Sequence, residues 1–153
     1  MDGGVHMIAG LRLILGSEDF ITAVSAQTQQ LQDYLSPVDT VDAVAQTRAG
    51  ATGVISLSWG SPFNASTFEF VCEKGRVTLK GDDVIVNDVK HHIEFDGKGV
   101  IPEVAEFATS IIQGCSVPQR QSPMEAMADL SILEQMLVSG ESRGDRMMLH
   151  YQA

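Results

Sequence analysis

The chain has 153 residues, one domain's worth of sequence, and with 44% apolar and 20% charged residues its composition is that of a folded domain and not of a disordered chain. Ten Lys and Arg against twenty Asp and Glu give a formal charge of −10, the wrong sign for binding nucleic acid or an anionic membrane surface. No apolar run approaches the ~20 residues of a membrane span, and Met1-Asp2-Gly3-Gly4 lacks the basic start of a signal peptide. A cytoplasmic location is the expectation, with Cys72 and Cys115 as free, buried thiols in a reducing compartment.

In chain order, residues 5–15 are apolar nearly all round, with Ile8, Leu11 and Leu15 at helical spacing, and read as a buried helix closed by Gly16. Residues 20–27 are rich in β-formers and lead into a polar excursion over 29–37. Residues 42–48 and 54–59 alternate in polarity around a glycine-bearing turn and predict a hairpin, with Ile55, Leu57 and Trp59 sharing one face. Short strands follow over 67–73, 77–79, 84–87 and 91–95, an antiparallel meander. The period then changes. Pro102 opens a helix whose Val104, Phe107, Ala108, Ile111 and Ile112 form a stripe expected to lie on the sheet, and Gly114 ends it. Ser122-Pro123-Met124-Glu125 combines an N-cap serine, a first-turn proline and a glutamate placed for a capping box. The helix behind it buries Ala126, Leu130, Leu133 and Leu137, with Gly140 as its C-cap, and Met147, Leu149 and Tyr151 alternate as a last strand. The fold class is α+β: an open, mainly antiparallel sheet with helices on one face.

Few residues offer chemistry. Asp2 and His6 are four apart at the mouth of the first helix, so a helix beginning at Asp2 carries both on one face. A carboxylate there can orient an imidazole that titrates near neutrality, and two glycines allow backbone or ligand to approach. The plainer alternative makes Asp2 an N-cap and His6 a satisfied residue under the sheet. His91 and His92, adjacent on a strand, point to opposite faces and suit a solvated edge better than a metal site. Glu103 and Glu106 suit a helix start through the helix dipole, His150 has no evident partner, and the serines lack a GxSxG elbow. Trp59 reads as core or subunit interface, with a ligand platform as the alternative. No Walker-type phosphate loop occurs, and Gly97-Lys98-Gly99 meets Pro102 where a dinucleotide fingerprint needs its third glycine.

In order along the chain, DGGVHMIAGLRLILG, the hairpin VDTVDAVAQTRAGATGVISLSWGS, the strand pair FEFVCEKGRVTLKGDDVIV and the ending RQSPMEAMADLSILEQMLVSGESRGDRMML together resemble the Gfo/Idh/MocA oxidoreductases. The likeness covers essentially the whole chain, is most specific in the SPxEA ending, and looks most like fungal members. It implies that residues 1–153 correspond to the family's C-terminal domain, which binds substrate and forms subunit contacts through its open sheet, resembling the C-terminal domains of dihydrodipicolinate reductase and glyceraldehyde-phosphate dehydrogenase. The family's N-terminal Rossmann domain, which holds NAD or NADP, has no counterpart here, and neither has the lysine of its E-K-P motif.

By matching position, the resemblance assigns the family's catalytic aspartate and histidine to Asp2 and His6: the histidine exchanges the proton of a substrate hydroxyl while hydride moves to or from the nicotinamide. The expectation is a truncated NAD(P)-dependent oxidoreductase for a sugar, polyol or similar hydroxy compound that binds no cofactor alone, is inactive alone and self-associates through its sheet. The alternative is a non-catalytic interaction or dimerisation module of the same fold, as in the galactose-regulon repressors of yeasts.

Overall fold

The computed structural model describes residues 3–35, 37–94 and 99–150. In chain order the elements are α1 (Gly4–Leu15), β1 (Ile21–Gln29), β2 (Thr40–Thr47), β3 (Thr52–Ser58), β4 (Thr67–Cys72), β5 (Gly75–Lys80), β6 (Asp83–Val86), β7 (Val89–His92), α2 (Val100–Gln113), α3 (Pro123–Glu141) and β8 (Met147–Met148). They form two compact units, one of the residues up to Pro62 together with those from Pro118, the other of Phe63–Val117. The α+β class and the antiparallel strands are as expected, but the described strands divide into two four-stranded sheets.

In the first unit the strand order is β3-β2-β1-β8, antiparallel throughout. Period-two alternation decides its faces. Val41, Ala43 and Ala45 of β2 are buried while Asp42 and Val44 are exposed, and Ile55 of β3 is buried between exposed Val54 and Ser56. On the inner face Val24 and Ala26 of β1 stand opposite Ala45 and Ala43. There they meet Ile8 of α1 and Ile132, Leu133 and Met136 of α3 in one core. Each fully buried Ile or Met contributes about 1.5–3 kcal/mol relative to exposure.

The helices differ from expectation in instructive ways. α1 buries one face only, since Leu13 and Ile14 reach solvent; an all-apolar stretch does not show how many neighbours it will meet. Gly16, at φ +75°, ends it as anticipated, its N–H donating to Arg12 O. At the start of α3, Ser122 Oγ accepts from Glu125 N–H at 3.3 Å, as a cap serine should. The Glu125 carboxylate does not complete a capping box. It accepts from Arg12 Nη2 at 2.8 Å and from Gln119 Nε2 at 2.9 Å, because a guanidinium is a stronger donor than a peptide N–H.

The buried stripe of α3 is also rotated. Ala128, Asp129, Ile132, Leu133, Met136 and Ser139 face inward, whereas Ala126 and Leu130 are exposed and Leu137 is half-buried. Gly140 is not the C-cap. It lies inside the helix where a Cβ would collide with the Thr28 side chain, and the turn is made by Ser142, Arg143 at φ +61° and Gly144 at φ +94°. Close contact between α3 and β1 sets this rotation, with Ser139 Oγ accepting from Ala26 N–H at 2.7 Å and donating to Asp145 O at 2.6 Å. The last strand is short: Met147 and Met148 pair with Val24 and Ala23, and Tyr151 lies outside the described residues.

The second unit contains the antiparallel meander β4-β5-β6-β7 and α2. Its last hairpin turns at Asn87 and Asp88, both in the left-handed region at φ +47° and +71°, so residue 87 is turn and not strand. Asn and Asp tolerate that region and give a two-residue loop whose twist matches the strands. α2 begins two residues before Pro102, which the first turn accommodates because its missing N–H has no helical acceptor there. Gly114 closes it at φ +64°. The apolar stripe of α2 does not form a buried layer on the sheet: Val104, Phe107, Ile111 and Ile112 are all at least half exposed, and Ser110 is its one buried residue. Amphipathic spacing shows that a helix has an apolar face, not which surface covers it. Cys72 and Cys115 are likewise exposed, not buried. No described helix is long and apolar enough to cross a membrane.

Candidate functional site at the start of helix α1

Helix α1 starts hard against its neighbours. A Cβ on Gly3 would lie 2.8 Å from Trp59 Cζ2, and one on Gly4 would lie 3.1 Å from Leu133 Cδ2. The paired glycines thus let backbone approach the end of β3 and the side of α3, a steric reason for residues read in the sequence as room for close approach. Gly3, not Asp2, occupies the N-cap, and no side chain caps it. Asp2 lies outside the described residues.

His6 is the third residue of α1, in its first turn, and is exposed. It is therefore not a satisfied residue under the sheet. Its neighbours Val5 and Ile8 supply the anchoring, Ile8 fully buried and Val5 packed against the core. Two turns further on, Arg12 locks the helix azimuth: it donates to Asp129 Oδ1 at 2.6 Å, to Glu125 Oε2 at 2.8 Å and to the Glu125 carbonyl at 3.1 Å. Glu125 and Asp129 belong to the SPxEA ending, so that motif holds the helix carrying His6.

Trp59, expected in core or interface, is 40% exposed beside this helix start. It stands on a frame that the sequence reading did not single out. Trp59 N–H donates to Asp39 O at 2.9 Å. The buried Asp39 carboxylate accepts from Leu31 N–H at 3.0 Å, from Gln32 N–H at 2.8 Å and from Thr40 Oγ1 at 2.9 Å. Burial acts to raise its pKa, but the bonds from Leu31, Gln32 and Thr40 outweigh that and hold it below the ordinary aspartate value. The signal in the sequence was an aspartate closing a polar excursion just before a strand, the position of a side chain that ties its own turn.

The other candidates belong to other elements. His91 and His92 sit on β7, all of whose residues are exposed, as a solvated edge requires. His92 Nδ1 is 3.0 Å from Asp83 Oδ1, and Lys90 Nζ is 2.7 Å from Asp83 Oδ2; Lys90 first and His92 second hold the Asp83 pKa low. Glu103 is exposed in the first turn of α2, Glu106 follows half-buried, and His150 is exposed. Among the described residues every strand pair is antiparallel, so no parallel βαβ unit is present to seat a dinucleotide.

A sequence model of the GFO/IDH/MocA C-terminal domain matches residues 1–78. Dehydrogenase FPY6 of Fusarium mangiferae is 31% identical over 166 residues, covering 99% of this chain and 46% of that protein. An oxidoreductase from Thermotoga maritima superposes with a TM-score of 0.85 at 26% identity, over 97% of this chain and 43% of its own. A levoglucosan dehydrogenase in complex with NADH superposes with a TM-score of 0.76 at 18% identity, over 99% of this chain and 50% of its own, a likeness of fold. The chain thus spans about half the length of the proteins it matches. A family match over the first half of the chain and a shared fold over nearly all of it lead to one assignment: the chain belongs to the GFO/IDH/MocA oxidoreductase family, as a C-terminal domain.

Proposed function

We propose that this chain is the substrate-binding and oligomerisation domain of an NAD(P)-dependent oxidoreductase for a sugar, polyol or similar hydroxy compound. His6 exchanges the substrate hydroxyl proton and Asp2 orients the imidazole. The observation that carries this reading is the exposed His6 in the first turn of a helix pinned by Arg12, where an imidazole on a fixed helix can meet a hydroxyl. NADH in the levoglucosan dehydrogenase complex supports the cofactor class. The chain needs a nucleotide-binding domain for turnover, since these residues orient a proton acceptor but not the redox partner.

The test fuses the chain behind the nucleotide-binding domain of a relative and follows reduced nicotinamide absorbance with a panel of sugars and polyols. His6→Ala should lower kcat/KM by about 10²–10⁴-fold, the usual contribution of a positioned acid or base. An undiminished rate would sink the assignment. Calorimetry of the chain alone should show no heat of binding for NAD or NADP, and micromolar affinity would overturn that part.

The outer face of the first sheet supports the oligomer. Ser25, Gln27, Asp42, Val44 and Val54 line a shallow depression of about 280 Å³ there, and Val44 and Val54 are exposed apolar residues. The same face serves the second reading, a non-catalytic dimerisation module. Light scattering should find a dimer or larger species, and a monomer at high concentration would exclude both uses of this face. Self-association together with a rate indifferent to His6 would favour the module.

A further inference from the structure

Trp59 is the chain's single tryptophan, and its position asks for an explanation beyond packing. A tryptophan ring brings one of the largest gains on burial, yet 40% of Trp59 is exposed. The backbone around it is held at two points. Its own N–H is held by Asp39 O at 2.9 Å, and the carbonyl of the following residue, Gly60, accepts from Gln32 Nε2 at 2.9 Å. Gly60 is buried and has no room for a side chain, since a Cβ would lie 2.8 Å from Leu31 Cβ and 2.9 Å from Asp39 Oδ1. Asp39, holding Leu31 and Gln32 at once, ties this frame together.

On its other side the ring meets the backbone of Gly3. Residues three apart share a helix face, so His6 follows one turn beyond Gly3 on the side where the indole lies. By this spacing the partly exposed indole, on its fixed backbone, and the exposed His6 share one side of the helix start. A cyclic sugar or cyclitol has an apolar face of C–H groups and a rim of hydroxyls. The electron-rich face of an indole attracts such polarised C–H groups, and stacking leaves the rim free for hydrogen bonds.

We propose that Trp59 is a substrate-positioning residue: the exposed part of its ring is the platform on which a cyclic sugar or cyclitol stacks, with a hydroxyl turned towards His6. This rests on the reading of His6 as the proton acceptor, but its test reads binding and not turnover. Because Trp59 is the sole tryptophan, its fluorescence reports the platform directly. Titrating the full chain with glucose and with myo-inositol should give a saturable change in emission and protection from acrylamide quenching, while acyclic glycerol should give neither. Emission and quenching unmoved by both ring compounds up to their solubility limit would overturn the proposal, as would an equal response to glycerol.

A second measurement uses saturation-transfer NMR on myo-inositol. Trp59→Phe should retain transfer and Trp59→Leu should abolish it, with circular dichroism confirming that both are folded. Full transfer to folded Trp59→Leu would overturn the platform, and if that variant does not fold, the fluorescence titration decides. His6→Ala should weaken the Trp59 titration without removing it. An intact titration beside undiminished His6→Ala turnover in the fusion protein would reject the proton role and keep the platform; a silent titration beside His6-dependent turnover would do the reverse.

Discussion

Asp39 shows how one side chain can organise a loop that carries no regular structure. Its carboxylate ties Leu31, Gln32 and Thr40, and its carbonyl ties Trp59. A carboxyl whose pKa is depressed by folding binds its proton less readily in the native state than in the unfolded chain. Its stabilisation is fully present above the unfolded value of about 3.9 and is lost as pH falls through the lower native value. Acid titration followed by Trp59 fluorescence should therefore show a transition below about pH 4. Asp39→Asn should be less stable than the wild type at neutral pH, and its loss of stability on acidification should be shallower. A variant with the wild-type acid profile would remove Asp39 from this role.

Among the elements, α1 and α3 are joined by charge as well as by the core. The Arg12 side chain is 13% exposed and the Asp129 side chain 9%, so most of each charge is out of water. Removing one partner of such a pair strands the other, and Arg12→Met should cost about 3 kcal/mol in urea unfolding. Adding Asp129→Leu should recover most of that loss, because an apolar pair of similar volume suffers no desolvation. A single variant within 0.5 kcal/mol of wild type, the range of ordinary surface changes, would show that the ion pair is not a structural clamp. The rotation of α3 belongs to this scale too. Its leucine spacing pointed to Leu130 and Leu137, yet the inward face is chosen by Asp129, by Ser139 bonded to Ala26, and by Gly140 against Thr28. Small and polar residues that fit one surface outrank leucines that would fit many.

At the scale of the whole molecule, the two compact units differ in how much they bury. The first holds the core of Ile8, Val24, Val41, Ile132 and Met136, whereas β7 is wholly exposed and α2 buries Ser110 alone. Local opening is least costly where few apolar contacts must be broken. Amide hydrogen exchange should be slowest in β1, β2 and α3 and fastest in β7 and α2. Equal protection across both units would contradict that expectation.

Strand and helix positions, the Ser122 cap, and the closing glycines at 16 and 114 were legible from residue pattern, because those signals act over a few neighbouring residues. So was the candidacy of His6, through a resemblance that names positions but not surroundings. Four outcomes were not legible: the division of the strands into two sheets, the open stripe of α2, the buried Asp39 frame, and the ring of Trp59 beside Gly3. Each depends on which surfaces meet across long stretches of chain, and that choice is made by packing and by the need to satisfy buried polar groups, which local pattern does not encode.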